Sequence, residues 1–282
     1  MTVEVRLTTP DRLTEVLGLP VDAVSIGQEG CAAKLPRLPA LREAAGRIRG
    51  AGLRAGVVLP AGWERGTAAL ADLATTLAGD GPLTVSVNDL GTLGTLAGRS
   101  LPECELTVGQ ALFPGRPHHS ADAPRHPLEP AVYEDGFLAE LEGFGVRIVE
   151  TDADAVVPDR PGWSVRRLAD VTPVAWARSC PTARRQRLAP PDCLTLCDTP
   201  TGLVAARRWQ LGHGHREPIP VADRPRQLPL TVYGNAVYAA STTAAPPGDD
   251  VIVDARFHTP GALADRVTTL RTRRPHATAA SR

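Results

Sequence analysis

Five cysteines are the residues of this chain best able to do chemistry, and three of them crowd into WARSCPTARRQRLAPPDCLTLCD, Trp176 to Asp198, as Cys180-x12-Cys193-x3-Cys197. The short spacing between Cys193 and Cys197 puts both sulfurs on one side of the segment. The stretch before them carries Arg184, Arg185, Arg187 and the Pro190-Pro191 pair, a loop able to curl back and deliver the third thiol. Three thiols are an incomplete set for a tetrahedral zinc ion or a cubane cluster, so a fourth ligand is expected. Cys31 in SIGQEGCAAKLP is the first candidate and Cys104 in PECELTVG its competitor. Structural zinc sites usually combine two short hooks, whereas here one hook is joined by thiols that arrive singly, an arrangement that iron-sulfur clusters tolerate. An iron-sulfur cluster is therefore the expected occupant, with zinc and unliganded buried thiols as alternatives. The arginines of the loop either offset thiolate charge or form a solvated face.

A second group lies in GRPHHSADAPRHPLEP, where Arg116, His118, His119, Arg125 and His126 could line a pocket for an acidic substrate. Arg116 is the candidate anion-binding group there, and His119 the candidate acid, base or hydrogen-bond donor. A loop this long in a compact domain is more often functional than not. The alternative is a polar, proline-punctuated surface loop. His213 and His215 in GHGH have metal-ligand side chains but read better as an exposed turn. Glu29, Asn88 and Asp89 sit at strand ends and could share one rim, although Asp89 could simply cap the next helix. Glu150, Asp152 and Asp154 could supply a general acid or base, against a reading as solvated turn residues. Gly-x-Ser-x-Gly, His-Glu-x-x-His and P-loop motifs do not occur.

The elements that must position these residues follow a βα rhythm. VEVRL reads as a strand, DRLTEVLGL as a helix with Asp11 at its N-cap and Gly18 as its stop, and VDAVSIG as a buried strand ending next to Cys31. The unit repeats through a helix from Leu38 to Gly50, LRAGVVLP, a helix from Glu64 to Ala78, LTVSVND, LGTLGTLAG, CELTVGQALF, a helix from Tyr133 to Gly143 and VRIVETD. Successive βα units with short turns predict a TIM-type α/β barrel, with a doubly wound sheet as runner-up. Beyond Pro158 the rhythm weakens, so the C-terminal half is open to being incomplete or distorted. VTPVAWARS is expected there as a strand, LTLCDTPTGLVAARRW as a hairpin, LTVYGNAVYAAS as a strand, and the DDVIVDARFHTPGALADRVTTLRT segment as a last βα unit. No domain boundary is evident. Residues 1–282 are read as a single barrel-like domain with the cluster-binding segment at 176–198.

The 282 residues, 43% of them hydrophobic, can bury a large core without staples. Formal net charge is zero, so nothing global points to nucleic acid or an anionic membrane, and Lys34 is the only lysine among 31 basic residues. Four Phe, four Trp and three Tyr are too few for a base-stacking platform. An odd cysteine count, an N-terminus without the apolar core of a signal peptide and the lack of a membrane-length apolar run predict a cytoplasmic protein, where thiols favour metal over disulfide.

Together, SIGQEGCAAKLP at an early strand end, VNDLGTLGTLAG in mid-chain and the Cys180-x12-Cys193-x3-Cys197 spacing resemble the collagenase-like peptidase family, from about Val21 to Arg256. The resemblance is closest to the UbiU/UbiV-like iron-sulfur proteins of oxygen-independent ubiquinone biosynthesis. It implies a 4Fe-4S cluster on Cys31, Cys180, Cys193 and Cys197, with Cys104 outside the set. It further implies oxygen-independent hydroxylation, or related atom or electron transfer, on a quinone-like or specialised metabolite, and a related family member as heterodimer partner. A cluster-stabilised scaffold subunit and a peptidase are the alternatives. For the last, the sequence supplies no recognisable proteolytic nucleophile.

Overall fold

The computed structural model describes residues 1–62, 66–101, 103–112, 132–177, 180–197, 200–205 and 226–272. Eight parallel strands close into a barrel: β1 (Val3–Leu7), β2 (Ala23–Gly27), β3 (Arg54–Val58), β4 (Leu83–Val87), β5 (Cys104–Val108), β6 (Ile148–Asp152), β7 (Ser164–Leu168) and, after a long excursion, β12 (Asp250–Asp254). β1 pairs with both β2 and β12, which completes the ring. The expected barrel is thus closed. Its departure from regularity lies in what separates β7 from β12.

Period-two alternation decides which way each strand residue points. In β1, Val3, Val5 and Leu7 join the apolar layer beneath the helices, while Glu4 and Arg6 occupy the interior. The helices supply the other side of that layer. α2 (Leu38–Gly50) buries Leu41, Ala44, Ala45 and Ile48, a stripe at helical spacing. α3 (Thr67–Ala78) buries Leu70, Ala71, Ala74 and Leu77 in the same way. Each large apolar side chain so buried contributes about 1.5–3 kcal/mol. Gly27, at the end of β2, has φ +120, and a β-carbon there would lie 2.2 Å from the Val58 carbonyl oxygen, so only glycine lets β2 and β3 approach at the rim.

The remaining expected elements are present with small shifts. α1 (Leu13–Leu17) ends at Gly18 as expected, but Asp11 lies inside a preceding 3-10 turn (Pro10–Arg12) and does not cap it; its carboxylate accepts from Thr9 Oγ1 instead. α4 (Leu90–Ala97), α5 (Asp135–Gly143) and α7 (Pro260–Thr272) complete the helices that flank the barrel.

Between β7 and β12 the chain builds a second, antiparallel sheet in the order β8 (Val171–Trp176), β11 (Ala236–Ala240), β10 (Arg226–Tyr233), β9 (Thr201–Ala205). Two expectations are corrected here. LTLCDTPTGLVAARRW is not a hairpin: Leu194–Leu196 form a 3-10 turn, and β9 pairs with β10. LTVYGNAVYAAS is not one strand but the hairpin β10–β11, turning at Gly234-Asn235 with Tyr233 opposite Ala236, the two-residue loop for which a Gly-containing pair is suited. Leu168, Val171, Ala236, Tyr238 and Ile252 form a separate small core that joins this sheet to the barrel. Phe257 packs edge-on against both Tyr233 and Tyr238, at 5.4 Å and 4.9 Å between ring centres.

Candidate metal centre

Four of the five thiols come from three short elements, one of them far from the others in sequence, and the fold carries each to the C-terminal rim of the barrel. Cys31 lies just past the end of β2 and leads into a 3-10 turn, Ala32–Lys34, with its carbonyl accepting from Lys34 N at 3.1 Å. Cys180 is the N-cap of α6 (Pro181–Gln186), its sulfur accepting from Ala183 N at 3.4 Å. Cys193 and Cys197 bracket the 3-10 turn Leu194–Leu196 and are 3% and 5% exposed. Cys197 Sγ donates to the Cys193 carbonyl at 3.5 Å, so the short spacing does place the two on one face.

The four sulfurs are electrostatic neighbours. Burial raises the Cys193 pKa above its ordinary value, and Cys31 and Cys180 raise it further. For Cys197, burial is again the largest cause, and Cys31, Cys180 and Cys193 add to it against the lowering influence of Lys34, giving about 11. These thiols hold their protons chiefly because burial disfavours the thiolate, with repulsion from the neighbouring sulfurs adding to it, a cost that a bound metal cation removes. They are gathered without being closed: among the described residues no three His, Cys, Asp or Glu side chains stand at metal-holding spacing. The donor set nevertheless fits a thiolate-bound metal in kind and number.

Cys104 stands apart from these four. It opens β5, and so lies at the N-terminal end of the parallel barrel, opposite the rim that carries Cys31. Burial, then the neighbouring Glu105, pushes its thiol up to about 11.

What holds the thiols in place was not read from the sequence. Asn235, in the β10–β11 turn, donates from Nδ2 to the carbonyls of Gly30 and Ala177, and Ala177 N donates back to the Asn235 carbonyl at 2.8 Å. Thr182 Oγ1, in α6, donates to the Gly234 carbonyl at 2.8 Å. One turn thereby fixes the residue before Cys31, the approach to Cys180 and the first turn of α6. A β-carbon on Gly30 would fall 2.3 Å from Asn235 Oδ1, so the contact demands glycine. Glu29 is buried beside them, accepting from Tyr238 OH at 2.6 Å and from Arg256 at 3.1 Å. Burial opposes its charge, but the Arg256 and Arg6 guanidiniums hold its pKa down to about 2. It is a fixed anion of the rim and not a proton carrier near neutral pH.

Other expected residues separate clearly. Arg184, Arg185 and Arg187 are exposed, which is the solvated reading of that loop, and Lys34 is the cation that acts on Cys197. Asp89 caps α4, accepting from Thr92 N at 2.7 Å. Asn88 bridges the Leu59 carbonyl and Ala111 N, a structural tie between strand ends. Glu150 and Asp152 are not solvated turn residues: they are 1% and 3% exposed, with Glu150 paired to Arg6 at 2.9 Å inside the barrel. Arg116, His118, His119, Arg125, His126, His213 and His215 lie outside the described residues.

Among the described residues no helix is long and apolar enough to cross a membrane. No family model and no curated protein matches the sequence. A solved structure of a U32 peptidase, Mk0906, is similar to this chain at 13% identity and a TM-score of 0.45, over 90% of this chain and 93% of that one.

Proposed function

We propose that this chain is an iron-sulfur protein whose 4Fe-4S cluster is held by Cys31, Cys180, Cys193 and Cys197, and that it acts in oxygen-independent hydroxylation or a related atom or electron transfer on a small molecule. The observation that carries this reading is the convergence of four thiols from three segments on the face where barrel enzymes keep their chemistry, with the fifth left at the opposite end. One short hook and two single thiols favour a cluster over a structural zinc ion. Such a cluster supplies one-electron chemistry when bound.

The protein's own part is to shape that site. Burial of Cys193 and Cys197 keeps water from two of the ligands. Lys34 supplies the positive charge that stabilises the thiolate form of Cys197. Asn235 fixes the spacing between the segments.

Purified without air, the protein is expected to be brown and to contain about four iron and four sulfide per chain, the content of one cubane cluster. Serine at any of the four positions removes the colour, and Cys104→Ser leaves it. Colourless protein with a single zinc, or iron loss in Cys104→Ser equal to that in Cys31→Ser, rejects the assignment. Peptide cleavage that survives the loss of all four thiols would support peptidase activity instead.

A further inference from the structure

The turn that follows β5 carries an amide with nothing to answer it. Gln110 opens the 3-10 turn Gln110–Leu112 at the C-terminal mouth of the barrel and is 2% exposed. Among the described residues it alone has both polar ends of its side chain, Oε1 and Nε2, buried without a hydrogen-bond partner. A buried amide in that state costs stability unless something outside the chain completes it.

The turn itself is pinned on both sides. Gly109 N donates to the Val87 carbonyl at 2.8 Å, and Leu112 N donates to the Gly109 carbonyl at 3.2 Å. Ala111 N donates to Asn88 Oδ1 at 2.9 Å, while Asn88 Nδ2 donates to the Leu59 carbonyl at 2.8 Å. A β-carbon on Gly109 would collide with the Asn88 carboxamide, so this approach demands glycine. Asn88 thus spends its amide on holding the turn, and Gln110 spends none of its own. A polar side chain on a rigid support, left unpaired, is preorganised for a ligand.

A second unanswered donor lies at the same end of the barrel. Trp176, the last residue of β8, packs onto the small core that includes Leu168 of β7 and Ile252 of β12, and its Nε1 is buried without a partner. The Gln110 turn and β8 both pack against β6. The charges of the interior answer one another, Arg6 with Glu4 and Glu150, and Arg256 with Glu29 and Asp254. What the unpaired groups call for is therefore a neutral hydrogen-bonding partner and not a counter-ion.

We infer that Gln110 is a ligand-binding residue of the barrel mouth, and that it takes a neutral small molecule bearing a primary carboxamide or a lactam. The ligand's N–H donates to Gln110 Oε1 and its carbonyl accepts from Gln110 Nε2, because the adjacent donor and acceptor of one amide match those of another. The inference deepens the small-molecule reading of the barrel by naming the group recognised, and it does not depend on the cluster.

The test is a saturation-transfer NMR titration of the whole chain, purified without air, with benzamide, N,N-dimethylbenzamide and benzoate. Benzamide is expected to bind at least tenfold more tightly than either of the others, since one lacks the N–H and the other brings an unanswered charge. Gln110→Met, similar in length, is expected to weaken benzamide binding at least tenfold and to melt at or above the wild-type temperature, because it removes an unpaired buried amide. A glutamine with a purely structural role would lower the melting temperature instead. The site is overturned by N,N-dimethylbenzamide or benzoate binding as tightly as benzamide, by no benzamide binding, which leaves ordered water as the partner, or by a Gln110→Met protein that melts below wild type or binds like it. The two readings fail separately: benzamide binding by iron-free protein rejects the cluster and keeps the site, and iron-loaded protein without binding does the reverse.

Discussion

Asp170 illustrates how a single carboxylate joins the two halves of the molecule. It sits between β7 and β8 with φ 70, in the left-handed region that Asp and Asn tolerate better than most residues. Its carboxylate takes a two-pronged contact from Arg266 of α7, at 2.8 and 2.9 Å, and a third from His258 at 3.3 Å. Burial pushes its pKa up, but the His258 hydrogen bond and the Arg266 charge prevail and hold it below the ordinary 3.8. A carboxylate whose folded pKa is depressed contributes stability that is present above the unfolded value and lost as pH falls through the folded one. Asp170→Asn keeps the backbone preference and removes only the charge, so it is expected to cost about 0.5–1 kcal/mol at pH 7, discounted for partial exposure. Urea unfolding should show the two proteins converging once pH drops below about 3.8. A difference that persists undiminished at pH 2.5 would mean that the hydrogen bonds alone carry the effect.

At the level of elements, the β10–β11 turn is the part whose failure would scatter the thiols. Asn235→Ala removes both bonds from Nδ2 and leaves the buried Gly30 carbonyl and the part-buried Ala177 carbonyl short of a donor, which costs about 1–3 kcal/mol. Gly30→Ala forces a β-carbon against Asn235 and is expected to cost a similar amount through crowding. Both should lower the melting temperature and, with the proposed cluster bound, also reduce iron per chain, whereas a destabilising change in α2, such as Leu41→Ala, should lower the melting temperature alone. Full iron occupancy in Asn235→Ala would show that the turn does not set the thiol spacing. The turn was readable in principle, since a Gly-Asn pair between two alternating runs signals a hairpin; the run LTVYGNAVYAAS hides it by staying apolar on both sides of the pair. That Cys193 and Cys197 share one face was legible because their spacing is short. The clamp was not, because one asparagine among polar neighbours carries no pattern.

Across the whole molecule, the interior of the barrel is ionic where branched apolar side chains usually fill such a space. Arg6, 2% exposed, contacts Glu4 at 3.3 Å and Glu150 at 2.9 Å, and Arg166 reaches Glu4 and Glu105. Ser25, Ser86 and Thr107 donate hydroxyl bonds to the two buried glutamates. This accounts for where sequence reading failed at the scale of the fold. The outer faces of the strands follow the apolar alternation, so β1 to β6 and their helices were legible. β7, SVRRL, has no counterpart among the expected strands: two adjacent arginines interrupt its apolar alternation, although Arg166 and Arg167 are both buried. For Glu150 and Asp152 the solvated-turn reading fails because a carboxylate at a strand end carries no sign that the barrel interior it faces is ionic. The network also gives a sharp stability prediction, because breaking a buried charge set is costly while replacing it whole is not. Arg6→Met leaves Glu4 and Glu150 facing each other across the barrel and is expected to cost about 3–5 kcal/mol. Adding Glu150→Gln to Arg6→Met removes one of the stranded charges and should recover a substantial part of that loss. The measurement is the urea midpoint of the two variants against wild type at pH 7. If the double variant is as unstable as the single, the cost of Arg6→Met comes from lost packing volume and not from an unanswered carboxylate.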